Sequence, residues 1–303
     1  MAEKSVRREG RGPSRAEQAR RHIEGMDRRF PGEIAAAVAS VRAYDATPSV
    51  RVIEPRVPQV AVVDEDSVTA VLARGRGLAS ACDLAVLDFA SFLYPGGGYE
   101  RGAWAQEQAL CASSFLYNVL REKGVWYSEN RRRNLNCHLY RNRALAVPRV
   151  RFERDGYHSY ADVIVAAAPD ARRAREEYHV GEDALLRALR DRVRLVMAIA
   201  DDLGHERLVL GAFGCGTFGW DAAVVAEAFR AELARGTHVA REVVFAVPRG
   251  RLDENLEVFE HALATFPEAN DAPYVSRAER AAAEAERSAA NDADEDDDWR
   301  QYL

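Results

Sequence analysis

The stretch 83–91, DLAVLDFAS, constrains the fold more than any other part of this sequence. Apolar residues occupy both odd and even positions over a length typical of a β-strand. A strand with one solvated face alternates polar and apolar side chains, so this pattern indicates a strand that is covered on both faces. It therefore predicts the central strand of a sheet that lies between two layers of helices.

The rest of the chain alternates strand-like and helical segments, which predicts an α/β fold with a mostly parallel sheet. The basic run Arg131–Arg133 is predicted to lie on a solvated surface loop. Further strands are predicted at 49–55, 59–65, 145–155, 160–171, 207–210 and 241–248, and helices at 14–46, 66–75, 102–124, 181–204 and 221–236.

Charge divides the chain into three parts. The first 22 residues carry seven Lys or Arg and three Glu, whereas the segment 291–299 (NDADEDDDW) is almost wholly acidic. We expect a basic arm and helix at 1–33, one domain at 34–271 and an acidic, disordered tail at 272–303. The formal net charge of −6 argues against nucleic acid as the main ligand.

Composition also bears on compartment and cofactors. No run approaches 18 uncharged apolar residues, and the first residues lack the apolar segment of a signal peptide, so the sequence predicts a cytoplasmic protein without a membrane span. The four cysteines, Cys82, Cys111, Cys137 and Cys215, show neither CxxC spacing nor histidines at ligand spacing. We expect packed, reduced thiols, no metal site and no cofactor.

Two glycine-rich loops follow predicted strands: 95–102 (PGGGYERG) and 211–219 (GAFGCGTFG). Ligands of open α/β sheets bind where strands end and helices begin, and glycine lets backbone amides approach phosphate oxygens closely. Together the loops predict a diphosphate ligand. Each could also be a plain tight turn. A dinucleotide-binding motif is disfavoured because the acidic residue expected after GCGTFG is missing, and neither loop has the G-K-[ST] of a P-loop.

These loops and their flanking strands resemble the microbial-type poly(ADP-ribose) glycohydrolases, whose domain is an elaborated macrodomain. The resemblance rests on the spacing from Gly96–Gly98 to Gln106 and Glu107, and on the order of the segments LDFAS, LAVPRVRFERD, VIVAAAPDA, LVLGAFGCGTFG and VVFAVP. It covers the chain from about Ile34 to Phe266. It implies a three-layer α/β/α fold with a central, mostly parallel mixed sheet, an N-terminal helical extension and a cleft for ADP-ribose.

The resemblance also implies roles for individual residues. The stretch Gly214–Gly219 would hold the diphosphate, Gly96–Gly98 its distal-ribose side, and Glu107 a ribose hydroxyl. Hydrolysis of an ADP-ribosyl bond passes through an oxocarbenium-like state and needs an acid that protonates the leaving oxygen. The candidate catalytic residues are Glu107 and Gln108, and the candidate ligand-binding residues are Tyr94, Gly96, Gly97, Gly98, Gln106, Gly214, Cys215, Gly216, Thr217, Phe218, Gly219 and Trp220.

Three residues depart from the family pattern. The family signature ends in two glutamates, the second acting as acid and base, but Gln108 is an amide that cannot donate and retrieve a proton at neutral pH. Tyr94 and Trp220 stand where the family usually has asparagine. They either pack harmlessly or place aromatic rings in the cleft. Glu107, near a helix N-terminus, is expected to stay ionised.

Two hypotheses about function follow. In the first, the chain is an ADP-ribose-binding protein of this family that is impaired on ribose–ribose bonds because of Gln108. In the second, it is an active ADP-ribosyl hydrolase with altered specificity, since other macrodomains cleave mono-ADP-ribosyl esters without a glutamate at this place. The expected partner is ADP-ribose or an ADP-ribosylated protein. Enzyme activity and oligomeric state stay open at this point.

Overall fold

The computed structural model describes residues 12–285, which form one seven-stranded sheet with helices on both faces. The strands are β1 (Arg42–Tyr44), β2 (Gln59–Val63), β3 (Leu84–Phe89), β4 (Ala144–Arg154), β5 (Tyr157–Ala166), β6 (Arg207–Leu210) and β7 (Glu242–Ala246). The helices are α1 (Arg15–Arg29), α2 (Pro31–Ser40), α3 (Ser67–Arg74), α4 (Gln106–Ala112), α5 (Leu116–Leu120), α6 (Gly124–Arg133), α7 (Ala171–Tyr178), α8 (Glu182–Leu203), α9 (Ala222–Leu233) and α10 (Asn255–Leu263).

The sheet confirms the predicted α/β class. Its strand order is β1-β4-β5-β3-β6-β7-β2, and the five strands from β5 to β2 are parallel. Only β4 runs antiparallel to its two neighbours, β1 and β5. The predicted central strand is β3, which is paired on both sides.

Side chains of β3 alternate between two hydrophobic cores. Leu84 and Val86 pack against the layer that contains α1 to α5, whereas Ala85 and Leu87 pack against the layer that contains α7 to α10. This explains why the run lacks polar alternation, since both faces of the strand are buried. Successive side chains of a strand point to opposite faces, so each residue of β3 can be assigned to one layer.

Local signals set several helix ends as expected. Ser14 forms a capping box with Glu17 at the start of α1, and the side chain of Asp66 accepts a hydrogen bond from the N–H of Thr69 in α3. The long helix α8 ends at Gly204, whose φ of 75° suits glycine. No helix within residues 12–285 is long and apolar enough to cross a bilayer.

Some boundaries predicted from the sequence are wrong. The helix predicted at 14–46 is two helices with Pro31 starting the second, because proline cannot continue a helix, and residues 42–44 form β1 instead. No strand forms at 49–55, where Ile53 is 87% exposed and the segment pairs with no strand of the sheet. Arg131–Arg133 end α6 and do not lie on a loop.

The predicted helix at 102–124 is interrupted after α4. The carbonyl oxygen of Ser113 accepts a hydrogen bond from the N–H of Glu153 in β4, and Ser114 bridges to Phe152. Pairing with the strand therefore replaces helical hydrogen bonds at this point. Of the tail predicted as disordered at 272–303, residues 277–285 are helical, and the hydroxyl group of Tyr274 donates a hydrogen bond to Glu254. The part of this tail from residue 286 and the predicted basic arm up to residue 11 lie outside the described residues.

Candidate functional site

The two glycine loops leave neighbouring strands at the same edge of the sheet. Strands β3 and β6 are parallel and paired, with Val86 opposite Val209, so their carboxyl ends lie at the same edge of the sheet. The rings of Phe89 and Phe213 are 5.7 Å apart between centroids, which joins the start of one loop to the start of the other. The structure therefore brings together two segments that are more than 100 residues apart in the chain.

The first loop is a tight turn in which Gly96, Gly97 and Gly98 have φ angles of 61°, 56° and 90°. These left-handed conformations favour glycine. Space also excludes a side chain at Gly97, because a Cβ atom there would lie 2.5 Å from Nε2 of Gln108 and closer still to the carboxylate of Glu107. The loop therefore packs directly on the first turn of α4.

The side chain of Gln106 fastens α4 to the end of β3. Its Oε1 accepts a hydrogen bond of 2.9 Å from the N–H of Phe89, while its Nε2 donates to the carbonyl oxygen of Leu87 at 2.9 Å and to Oγ of Ser67 at 3.1 Å. The amide thus uses both of its ends in fixed bonds. Gln106 therefore fixes α4 to β3, and it also forms part of the cavity wall described below.

The amide of Gln108 is committed to the first loop. Its side chain is 4% exposed, and Nε2 donates a hydrogen bond of 2.9 Å to the carbonyl oxygen of Gly96. An amide has no proton that it can transfer and recover at neutral pH. At the position that the sequence analysis assigns to the acid, the structure therefore has a group that stabilises the loop.

Glu107 lies beside Gln108 but in a different setting. It is 2% exposed, and its Oε2 accepts a hydrogen bond of 2.8 Å from the N–H of Ser91. Burial, and next the charge of Asp88, raise the pKa of Glu107 well above its usual range, although N–H donors from Ser91 and Gly96 oppose this. Loss of water thus raises the pKa of Glu107 and works against the helix N-terminus, which was expected to keep this carboxyl group ionised.

The second loop forms one wall of a cavity of about 550 Å³. A volume of this size is within the range of small-molecule sites. At Gly214, φ is 82°, and a Cβ atom would lie 2.8 Å from both Ala168 and Trp220. The wall includes Asp66, Ser67, Phe89, Trp104, Gln106, Arg154, Ala212, Phe213, Gly214, Gly216, Thr217, Phe218, Val247, Pro248, Asp253 and Asn255.

Several candidate residues lie outside the wall of this cavity. Cys215 is packed against the core, and burial raises the pKa of its thiol to about 12, so the thiol stays protonated. Gly219, with a φ of 71°, packs on the side chain of Arg172. The residues of the candidate set that do not form the cavity wall are Tyr94, Gly96, Gly97, Gly98, Glu107, Gln108, Cys215, Gly219 and Trp220.

The two aromatic departures have different positions. Trp220 is 4% exposed, packs in the core and donates a hydrogen bond of 2.7 Å from Nε1 to the carbonyl oxygen of Pro169. Its ring therefore supports the second loop from behind. Tyr94 is 44% exposed beside the first loop, with the guanidinium carbons of Arg131 and Arg101 at 5.0 Å and 5.4 Å from its ring centroid.

Sequence reasoning missed Trp104 and the pair Asp66–Arg154, all in the cavity wall. Trp104 is 57% exposed, and the guanidinium carbon of Arg15 lies 5.6 Å from its ring centroid. Arg154 donates to Asp66 at 2.9 Å. Burial raises the pKa of Asp66, but hydrogen bonds from Thr69 and Arg154 prevail and lower it. A lone tryptophan between the glycines and Gln106 was the signal available.

Asp88 was also missed as a site residue. It is fully buried, at 0% exposure, within the apolar run that forms β3. A carboxylate in such a run is the sequence signal, because aspartate is rarely buried without a partner. Within residues 12–285, no group of three or more His, Cys, Asp or Glu side chains is arranged to hold a metal ion.

Comparisons with known proteins agree with this architecture. The family model "Microbial-type PARG, catalytic domain" matches residues 17–155, PARG being poly(ADP-ribose) glycohydrolase. The structure of PARG from Thermomonospora curvata is 30% identical, with a TM-score of 0.68 over 81% of this chain and 97% of that chain. The same enzyme bound to the inhibitor ADP-HPD is 30% identical, with a TM-score of 0.66 over 81% and 97% of the two chains.

A second bacterial enzyme gives a similar result. PARG from Deinococcus radiodurans in complex with ADP-ribose is 28% identical, with a TM-score of 0.67 over 79% of this chain and 100% of that chain. No curated protein matches the chain.

Proposed function

The chain belongs to the microbial-type poly(ADP-ribose) glycohydrolase family, and on that premise we propose that it binds ADP-ribose and is impaired in cleaving ribose–ribose bonds. The observation that carries the second half of the proposal is the hydrogen bond from Gln108 to Gly96. In this bond Gln108, which occupies the acid position, donates an amide hydrogen to the loop. General acid and base catalysis, worth about 10²–10⁴-fold, is then missing from this position.

Several features support binding. The relatives from T. curvata and D. radiodurans were crystallised with ADP-HPD and with ADP-ribose. The second loop offers Gly214, Gly216 and Thr217 along a cavity of about 550 Å³, large enough for a nucleotide-sized ligand. In our proposal this loop holds the diphosphate, and the first loop and Glu107 take the distal ribose.

A second candidate function is hydrolysis of another ADP-ribosyl linkage, such as a mono-ADP-ribosyl group on a protein side chain. The raised pKa of Glu107 favours this candidate, because it makes the carboxyl group a better carrier of a proton than an ordinary glutamate. Glu107 would then have to reach the leaving oxygen, whereas adjacent helical residues point about 100° apart. Domain boundaries at 34–271, the cytoplasmic location and an ADP-ribosylated protein partner stay predictions.

Calorimetry followed by turnover assays tests the proposal. Titration with ADP-ribose should give heat and saturation, and incubation with automodified poly(ADP-ribose) should release ADP-ribose at least about 10²-fold more slowly than Gln108→Glu does. Release from mono-ADP-ribosylated protein by the wild type, but not by Glu107→Gln, would establish the second candidate instead. No heat at millimolar ADP-ribose would overturn both.

A further inference from the structure

Asp88 faces the helix that carries Glu107. It lies on β3 in the same alternating set as Leu84 and Val86, whose side chains pack in the core formed with α4. The N–H of Ser91, three residues after Asp88, donates to the carboxylate of Glu107. Strand and helix therefore bring two carboxyl groups into one buried space, and neither group belongs to the wall of the large cavity.

Neither group has a compensating cation among the described residues. Within the same part of the chain, both oxygens of Asp88 and Oε1 of Glu107 are buried without a hydrogen-bond partner. Buried polar atoms are nearly always paired, so three such atoms on two carboxyl groups need an explanation. Two carboxylates in one desolvated space cannot both be charged at acceptable cost, and a proton between them removes the repulsion.

We infer that Asp88 and Glu107 share a single proton at neutral pH, with Asp88 serving as a reservoir from which Glu107 can be protonated. The hydrogen bonds explain which of the two carboxyl groups carries the proton. Glu107 accepts an N–H bond from Ser91, which favours its charged form, whereas Asp88 accepts none from residues 12–285. The proton therefore rests mainly on Asp88, and Asp88 is a positioning residue that acts through Glu107.

The surrounding groups agree with a shared proton. Cys111 of α4 and Tyr127 of α6 are both buried and both feel the charges of the pair, and Cys111 also feels the charge of Glu100 in the first loop. Burial raises the pKa of Cys111 and of Tyr127, and the charges of Glu107 and Asp88 raise both further, so these two groups stay neutral. The hydroxyl group of Tyr127 is also buried without a partner among the described residues.

The consequence for chemistry rests on the second candidate of the proposed function, the hydrolysis of another ADP-ribosyl linkage. For an ADP-ribosyl group whose linkage reaches Glu107, the shared proton would pass to the leaving oxygen as the bond to the anomeric carbon breaks. The attacking water would supply the new hydroxyl group and return one proton to the pair. The site would thus keep a proton that the amide at position 108 cannot hold.

Infrared spectroscopy of protonated carboxyl groups, recorded against pH in the absence of ligand, tests the inference. The wild type minus the double variant Asp88→Asn/Glu107→Gln should show one protonated carboxyl group at pH 7. In each single variant the remaining carboxyl group should lose its proton at a pH at least about one unit lower than the pair does. The reason is that coupling raises the pKa of the last ionisation of the pair. Asp162→Asn, which removes a buried aspartate that is hydrogen-bonded to His205, is the control and should change nothing in this signal.

Two results would overturn the inference: no protonated carboxyl group at pH 7 in the wild type, or single variants that titrate at the same pH as the wild type. Thermal unfolding gives a second readout. The raised pKa values of the folded pair mean that stability is greatest below the unfolded values and falls as pH rises toward the folded ones. The free energy of unfolding of Asp88→Asn should fall less than that of the wild type over this pH range. Neither experiment involves ADP-ribose, so failure here is distinct from failure of the proposed function.

Discussion

Nε2 of Gln108 donates a hydrogen bond of 2.9 Å to the carbonyl oxygen of Gly96, which ties the first turn of α4 to the first glycine of the loop. A glutamate at the same position would present an oxygen to that carbonyl group unless it were protonated. The same contact that stabilises the loop with an amide would therefore favour the protonated form of a carboxyl group, which is the form that an acid catalyst needs.

Replacing the amide should restore catalysis. We expect Gln108→Glu to increase the release of ADP-ribose from poly(ADP-ribose) by about 10²–10⁴-fold, the usual range for a general acid and base. The control is Gln106→Glu, which adds the same charge to the same helix but on a side chain held by Leu87, Ser67 and Phe89. An equal gain in both variants would contradict the assignment of the acid position to residue 108.

The crowded glycine of the first loop should tolerate no side chain. Gly97→Ala would force a Cβ atom onto Glu107 and Gln108, so we expect loss of ADP-ribose binding in calorimetry together with lower stability. Gly156→Ala is a matched control, because Gly156 also has a positive φ of 84°, but no described atom lies within 4 Å of the position that a Cβ atom would take. It should show only the conformational cost of about 1–2 kcal/mol, with normal affinity.

Trp104 should contribute to ligand binding. It is half exposed in the cavity wall, and stacking of a base on an aromatic ring is worth about 1–3 kcal/mol. Trp104→Ala is expected to weaken ADP-ribose binding about tenfold. Tyr157→Ala removes an exposed aromatic ring outside that wall and should leave the dissociation constant unchanged. Equal affinity for all three proteins would exclude stacking on Trp104.

Trp220 should affect stability and not affinity. Trp220→Phe keeps a ring in the core but removes the donor to Pro169, so the free energy of unfolding should fall by about 1–3 kcal/mol. Calorimetry with ADP-ribose below the unfolding transition should give the wild-type dissociation constant. A large loss of affinity with unchanged stability would mean that the ring contacts the ligand after all.

A buried histidine predicts a pH-dependent stability. His238 contacts Asp201 at 2.7 Å and Glu232 at 3.3 Å; burial lowers its pKa, but these two carboxylates prevail and raise it to about 9. Its contribution, up to about 3 kcal/mol, is complete below an unfolded pKa of about 6.5 and is lost as pH rises through 9. His238→Gln should flatten the stability profile between these values, whereas His179→Asn, at an exposed histidine, should not.

Much of the fold was accessible from the sequence because periodicity is a local property. The buried run of β3, the aspartate cap of α3 and the glycine at the end of α8 were each predicted from neighbouring residues. The false strand at 49–55 shows the limit, since a strand also needs another strand to pair with. Whether a segment pairs as a strand depends on residues far apart in the chain, and a local sequence pattern holds no information about them.

The site was less accessible for the same reason. Both glycine loops were predicted, because backbone at positive φ favours glycine and the glycines can be read directly from the sequence. The raised pKa of Glu107 was not predicted, since it depends on burial and on Asp88 of another element. Likewise, Trp220 turns inward because Gly214 leaves room for its ring, a relationship that exists only in the folded chain.

The different environments of Trp104 and Trp220 make the two side chains intrinsic fluorescence probes of different parts of the protein. One indole lies in the wall of the cavity under a guanidinium group, while the other is sealed in the core with its N–H bonded. Emission from an indole in water lies to the red of emission from a buried one, so the two signals can be separated by wavelength in a variant in which Trp126 and Trp299 are replaced by Phe. Ligand arrival could then be followed in stopped-flow mixing without any attached dye.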